Sequence, residues 1–137
     1  AAKVEIKLSV VKEVVKGKRI VIVDDSIIRG TTSRSRIRLL RQAGATEVHL
    51  RVSCPPTRHP CYYGIDFPDP AQLVASGRSI EEIQKLLDVD SLGYLSVEGM
   101  LSAMSHPPDH YCTACWTGKY AVPPVDIMSK DLHEKKP

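Results

Sequence analysis

A chain of 137 residues, 42% hydrophobic and 26% charged, has the composition of one folded globular domain and excludes a disordered or low-complexity polymer. Its net charge of +3, with acidic and basic residues interspersed, excludes a general nucleic-acid surface. No apolar run approaches the roughly 18 residues of a membrane span, and no charged-then-apolar leader opens the chain, so a cytoplasmic protein without a membrane partner is expected. Beginning at Ala1 and not at a methionine, the sequence has the look of a fragment or a processed product.

Lys16-Gly17-Lys18 is a turn signal, and residues 19–23 (RIVIV) form a β-branched run with no polar alternation after the first position. Such a run predicts a strand buried on both faces, as in a parallel sheet. Residues 24–30 lack periodicity. From Thr31 the pattern is helical, with Ile37 and Leu40 on the buried stripe and Gly44 as the C-terminal stop. Over 46–52, Val48, Leu50 and Val52 alternate with Glu47, His49 and Arg51, which predicts a second strand with one wetter face. Strand, loop, helix and strand make one βαβ unit, whose binding sites belong at the carboxyl ends of the strands, from Asp24 and from Ser53 onward.

Pro55, Pro56, Pro60, Pro68 and Pro70 then predict a long surface connection ending near Ala71. Ser79 and Glu82 have capping-box spacing ahead of Ile80, Ile83, Leu86 and Leu87, the apolar face of a short helix. A third strand fits near 92–95, and Ser96 is the N-cap of a helix holding Val97, Met100, Leu101 and Met104. Pro123 opens a strap that frays by Lys135. Three strands are few for a doubly wound sheet, so further sheet is expected upstream. Arg34, Arg36, Arg38 and Arg41 share the first long helix, as a solvated face or as contacts to a phosphate or a neighbouring subunit.

Residues 21–33 (VIVDDSIIRGTTS) combine three features that suit a phosphorylated sugar. Asp24 and Asp25 stand where an apolar strand ends, placed to accept sugar hydroxyls or to hold Mg²⁺ through water. Gly30 lets the backbone approach an anion closely. Thr31, Thr32 and Ser33 bring hydroxyls to a helix N-terminus, where free N–H groups and the helix dipole favour phosphate.

The four cysteines are better explained as reduced thiols, metal ligands or catalytic groups than as a disulfide framework. Cys112 and Cys115 form a C-x-x-C pair, a spacing shared by zinc, iron-sulfur and redox sites. Cys54 has the character of a buried structural thiol. His49, His59, His106, His110 and His133 form no ligand-spaced set, and Trp116 and Tyr120 are expected to pack beside the cysteine region.

The segment DDSIIRGTT resembles the phosphoribosyl pyrophosphate loop of type I phosphoribosyltransferases. With Arg29 before Gly30, it is most similar to the glutamine-dependent amidophosphoribosyltransferases. The strings KLSVVKEVVKGK, AGATEVHLRVSCPP, CYYGID, SVEGML and CTACWTGKYAVPP extend the resemblance over essentially the whole chain.

For the fold, this resemblance implies an α/β chain. Residues 1–75 would be the C-terminal half of a type I phosphoribosyltransferase domain, a partial fold of parallel sheet and flanking helices. Residues 76–137 would be a helical, cysteine-containing extension, with the family's N-terminal glutaminase domain absent. The implied enzyme is a pentosyltransferase that makes 5-phosphoribosylamine from phosphoribosyl pyrophosphate and glutamine, the first committed step of de novo purine synthesis.

The same resemblance implies the site. Asp24 and Asp25 would fix the ribose and its Mg²⁺ and support developing charge. Ser26, Ile27, Ile28, Arg29, Gly30, Thr31 and Thr32 would wrap the 5′-phosphate. Residues 3–10 look like the end of the family's flexible loop, with Lys7 either reaching the pyrophosphate or simply at the surface. Cys61, Cys112 and Cys115 would be three of the four ligands of a structural [4Fe-4S] cluster, the fourth lying upstream. Implied partners are glutamine-derived ammonia, purine nucleotide inhibitors and further copies of the chain in a homo-oligomer, by family a tetramer. Two other classes compete: a non-catalytic phosphosugar- or nucleotide-binding regulatory module, and a salvage phosphoribosyltransferase. Arg29 and YCTACWTGKY disfavour the second.

Overall fold

The computed structural model describes residues 11–65 and 69–122. Lys7 with its flexible-loop segment, and the strap expected from Pro123, lie outside the described residues.

A single helical turn, α1 (Lys12–Val15), buries Val15 and leads into a turn in which Gly17 adopts φ 74°. Strand β1 (Arg19–Asp24) follows, then α2 (Thr31–Gln42) and β2 (Glu47–Val52). After a long connection with a 3₁₀ turn at Pro70–Gln72 come α3 (Ile80–Leu87), β3 (Ser91–Tyr94) and α4 (Val97–Ser102). A second 3₁₀ turn at Pro108–His110 precedes the one-turn α5 (Ala114–Thr117).

The strands form one parallel sheet in the order β1-β2-β3, with Ile22 opposite Leu50 and Leu50 opposite Leu92. Parallel neighbours need a crossover, and α2 and α3 supply one each. Both helices lie on the face toward which Val48, Leu50 and Val52 point. There Ile37, Ile83 and Leu87 join those valines and leucine in a shared core with Val74 and Val89. Burying each such side chain contributes roughly 1.5–3 kcal/mol. The fold is therefore the α/β class expected, a parallel sheet with flanking helices followed by a helical, cysteine-bearing region.

The local signals behave as their chemistry requires. Ser79 Oγ accepts from Glu82 N–H at 3.2 Å, while Glu82 Oε2 accepts from Ser79 N–H at 2.7 Å, closing the capping box. Ser96 Oγ accepts from Gly99 N–H at 2.9 Å and starts α4. That helix stops at Ser102, and Met104, expected on its apolar face, is exposed beyond it. Pro107 and Pro108 follow closely and do not permit another turn.

One strand departs from expectation. The run 19–23 predicts burial on both faces, but Val21 is 61% and Val23 is 74% exposed. They project on the face of the sheet that carries Arg51, away from α2 and α3, and among the described residues no helix covers it. The apolar run belongs to a two-sided parallel strand, yet the described residues cover only one side. No helix of the described residues is long and apolar enough to cross a membrane.

Candidate functional site

β1 delivers Asp24 at its last position, and the chain then turns through residues 24–30 before α2 begins. Ile27, 2% exposed, plugs the loop into the core, and Ile28 C=O accepts the Val74 N–H at 2.7 Å. Arg29 Nε donates to Gln72 Oε1 at 3.1 Å, so the segment before α3 backs the loop.

Gly30 occupies the position before α2 with φ 76°, in the left-handed region, and it is buried. A Cβ there would also lie 3.2 Å from Leu87 Cδ2 and 3.3 Å from Val74 Cγ2. Backbone conformation and packing both call for glycine. Gly30 has no side chain with which to cap α2. Its first intrahelical bond runs from Arg34 N–H to Gly30 C=O at 2.9 Å, so the amides of Thr31, Thr32 and Ser33 face out of the helix end. Residues 24–33, with Arg36 and Ile65, surround an open cavity of about 400 Å³. Backbone amides, hydroxyls and a helix N-terminus around one cavity favour an anion such as phosphate.

The acidic pair is already engaged. Asp24 Oδ1 accepts the Asp25 N–H at 3.2 Å, and Asp24 Oδ2 accepts from Arg36 Nη1 at 3.1 Å. Asp25 Oδ1 accepts the Ser26 N–H at 2.7 Å. In the sequence, Arg36 is one of four arginines on α2. No local signal marks its contact with Asp24, because it depends on how α2 returns over the strand end.

All four cysteines line a second cavity of about 520 Å³, which shares Ser26, Ile28 and Ile65 with the loop cavity. Trp116 and Tyr120 line it too, as expected. Tyr120 packs on Tyr62 with ring centroids 5.0 Å apart and donates its hydroxyl to Pro60 C=O at 2.8 Å. The Arg58 and His59 amides donate to Cys115 C=O at 3.1 and 3.0 Å, which joins the proline-rich connection to α5. Cys54 is half-buried, with its Sγ 3.2 Å from Pro55 C=O. Burial pushes the Cys54 thiol up to about 11 and the Cys115 thiol likewise to about 11, with Cys61 and Cys112 adding repulsion at Cys115.

Both metal expectations are corrected by this geometry. Among the described residues no group of three or more His, Cys, Asp or Glu side chains is arranged to hold a metal ion. Cys61, Cys112 and Cys115 share a cavity wall without converging on one point, so the [4Fe-4S] assignment is withdrawn. The Mg²⁺ assignment to Asp24 and Asp25 is withdrawn as well, since among the described residues no third His, Cys, Asp or Glu side chain completes a metal-holding group with them.

The phosphoribosyl transferase domain family matches residues 2–69. The amidophosphoribosyltransferase of Synechocystis sp. is 50% identical over 127 residues, covering 93% of this chain and 26% of the relative. That of Synechococcus elongatus is 52% identical over 130 residues, covering 94% and 26%. The chain belongs to the amidophosphoribosyltransferase family. Its fold agrees with that of the Bacillus subtilis glutamine phosphoribosylpyrophosphate amidotransferase complexed with ADP and GMP. The TM-score there is 0.75 at 48% identity, over 88% of this chain and 28% of the other. A structure described as the allosteric regulatory enzyme of purine biosynthesis matches with TM-score 0.74 at 47% identity, over 85% of this chain and 27% of the other. The chain thus spans about a quarter of the length of the amidophosphoribosyltransferases it matches.

Proposed function

We propose that this chain contributes the phosphoribosyl pyrophosphate site of an amidophosphoribosyltransferase, which makes 5-phosphoribosylamine at the first committed step of de novo purine synthesis. The observation that carries the reading is the loop itself: paired carboxylates at a strand end, followed by a left-handed Gly30 and an uncapped helix start around one cavity. Ser26, Ile27, Ile28, Arg29, Gly30, Thr31 and Thr32 bind the 5′-phosphate through amides and hydroxyls, converting binding energy into orientation. Asp24 and Asp25 accept the ribose hydroxyls and support positive charge as it develops on the ring. The ammonia lone pair forms the new bond to C1, the C1–O bond breaks with its electrons leaving on pyrophosphate, and the product ammonium releases a proton to solvent.

Purine nucleotides, of which ADP and GMP accompany the Bacillus relative, carry the same 5′-phosphate chemistry and are proposed to compete for this loop. Residues 1–75 carry the ligand loop, whereas 76–137 begin with α3 and β3, which belong to the same sheet and core, before the cysteine-bearing region. The exposed Val21 and Val23 support a covering partner, either the remainder of a longer protein or another copy in a homo-oligomer. A cytoplasmic location suits a reaction among soluble phosphorylated metabolites.

Calorimetric titration of the chain with phosphoribosyl pyrophosphate tests the reading. Saturable binding is expected, weakened on the order of tenfold in Asp25→Asn by loss of a charge-assisted hydrogen bond. Full affinity in a folded Asp25→Asn chain removes Asp25 from the site, and a folded wild type that does not bind overturns the proposal.

A further inference from the structure

We infer that Arg36 is a positioning residue for the ligand loop, holding the Asp24 carboxylate in place and acting on the ligand through Asp24. The inference rests on the loop's binding phosphoribosyl pyrophosphate.

Three observations carry it. Arg36 Nη1 lies 3.1 Å from Asp24 Oδ2, a bond that joins the last residue of β1 to the second turn of α2. Asp24 has a largely enclosed side chain, 18% exposed, and its other oxygen takes the Asp25 N–H. Its orientation is therefore set from both sides. Among the described residues Arg36 Nε is shut off from solvent and has no hydrogen-bond partner, so a ligand entering the open cavity does not reach that atom. An arginine serving only to solvate a helix face would keep such a donor in water.

Charge gives the contact a purpose. The cavity must take an anionic ligand, yet it carries two adjacent carboxylates. Among the described residues its cations are Arg29 and Arg36. Arg29 directs its Nε to Gln72, which leaves Arg36 as the cation bonded to an acid of the pair. By neutralising Asp24, Arg36 lets the loop keep an acceptor for a sugar hydroxyl without repelling the phosphates.

A double-mutant cycle tests this, with phosphoribosyl pyrophosphate as the titrant and circular dichroism confirming the fold of each chain. Arg36→Met is expected to weaken binding on the order of tenfold, Arg36→Lys to recover part of the loss, and Arg36→Met to cost little more when Asp24→Asn is already in place. Equal losses from Arg36→Met with and without Asp24→Asn would show that Arg36 touches the ligand itself and would overturn the inference. So would unchanged affinity in Arg36→Met, or in Arg36→Gln where the methionine variant does not fold. A wild type that fails to bind removes the loop reading and this inference together, whereas a binding wild type with an indifferent Arg36 removes this inference alone.

Discussion

Asp90 and Val48 close a two-bond ring between the start of β3 and β2: the Asp90 N–H donates to Val48 C=O at 2.9 Å, and Asp90 Oδ2 accepts the Val48 N–H at 2.6 Å. The same oxygen accepts from Arg41 Nη2 at 2.8 Å, so one carboxylate ties the C-terminal turn of α2 to two strands. The Val48 N–H holds the Asp90 carboxyl below its usual range, with Arg41 helping and desolvation opposing.

The pH dependence follows from that direction. A carboxylate whose folded pKa is depressed stabilises the fold above its unfolded value and loses that contribution as pH falls through the folded value. Urea midpoints followed by circular dichroism should therefore drop below about pH 4, near the ordinary aspartate range. Asp90→Asn should start lower at neutral pH and decline less steeply in acid. Glu47 and Glu81 are also depressed, so a residual slope is expected. Parallel curves for the two chains would contradict the assignment.

Gly30→Ala should destabilise the chain by about 2 kcal/mol, combining left-handed strain with overpacking. The added methyl would press on Leu87 Cδ2 and Val74 Cγ2, both core atoms. Thermal unfolding measures the cost. A variant as stable as the wild type would mean that the loop does not hold its φ of 76° in solution.

Leu87→Ala should cost about 3 kcal/mol in urea unfolding, within the range for truncating a closed leucine site. Leu87 is 0% exposed and lies in the core that joins α3 to the sheet. The same change opens space behind Gly30, so weaker ligand binding should accompany the lost stability. A cost below about 1 kcal/mol would show that the core collapses to fill the gap.

Thiol reactivity should separate the cysteines. Cys112 is exposed, whereas Cys54 and Cys115 are half-buried with thiols pushed up to about 11. Near neutral pH their thiolates should be roughly a hundredfold scarcer than at an ordinary cysteine, because each pKa unit is a factor of about ten. Peptide mass spectrometry after timed iodoacetamide treatment should find Cys112 labelled first, and unfolding in urea should erase the order. Equal rates in the folded chain would contradict the placement of these thiols.

Much of the chain is legible in sequence because its signals are local. The alternation in 46–52 becomes β2 with Val48, Leu50 and Val52 buried, and α2 starts at Thr31. Ser79 with Glu82, and Ser96, cap the helices they precede. Each depends on hydrogen bonds or side-chain directions spanning only a few residues. The loop's place at the end of β1 follows likewise from an apolar run meeting two acids and a glycine.

What required the tertiary structure are relationships between distant residues and between surfaces. The composition of residues 19–23 marks a strand suited to two-sided cover, but only the assembled sheet leaves Val21 and Val23 bare. Sequence supplies the arginines of α2; packing alone decided that Arg36 reaches Asp24 and Arg41 reaches Asp90, since such pairings depend on where a helix comes to rest on a sheet. Folding brings Cys61, Cys112 and Cys115 to one cavity, whereas coordination demands convergence within a few tenths of an ångström. Sequence by itself determined β1, β2, α2 and α3, the caps at Ser79 and Ser96 and the position of the loop after β1, because these are encoded in neighbouring residues. Convergence of side chains from separate elements was decided by the tertiary structure, because it depends on the relative placement of whole helices and strands.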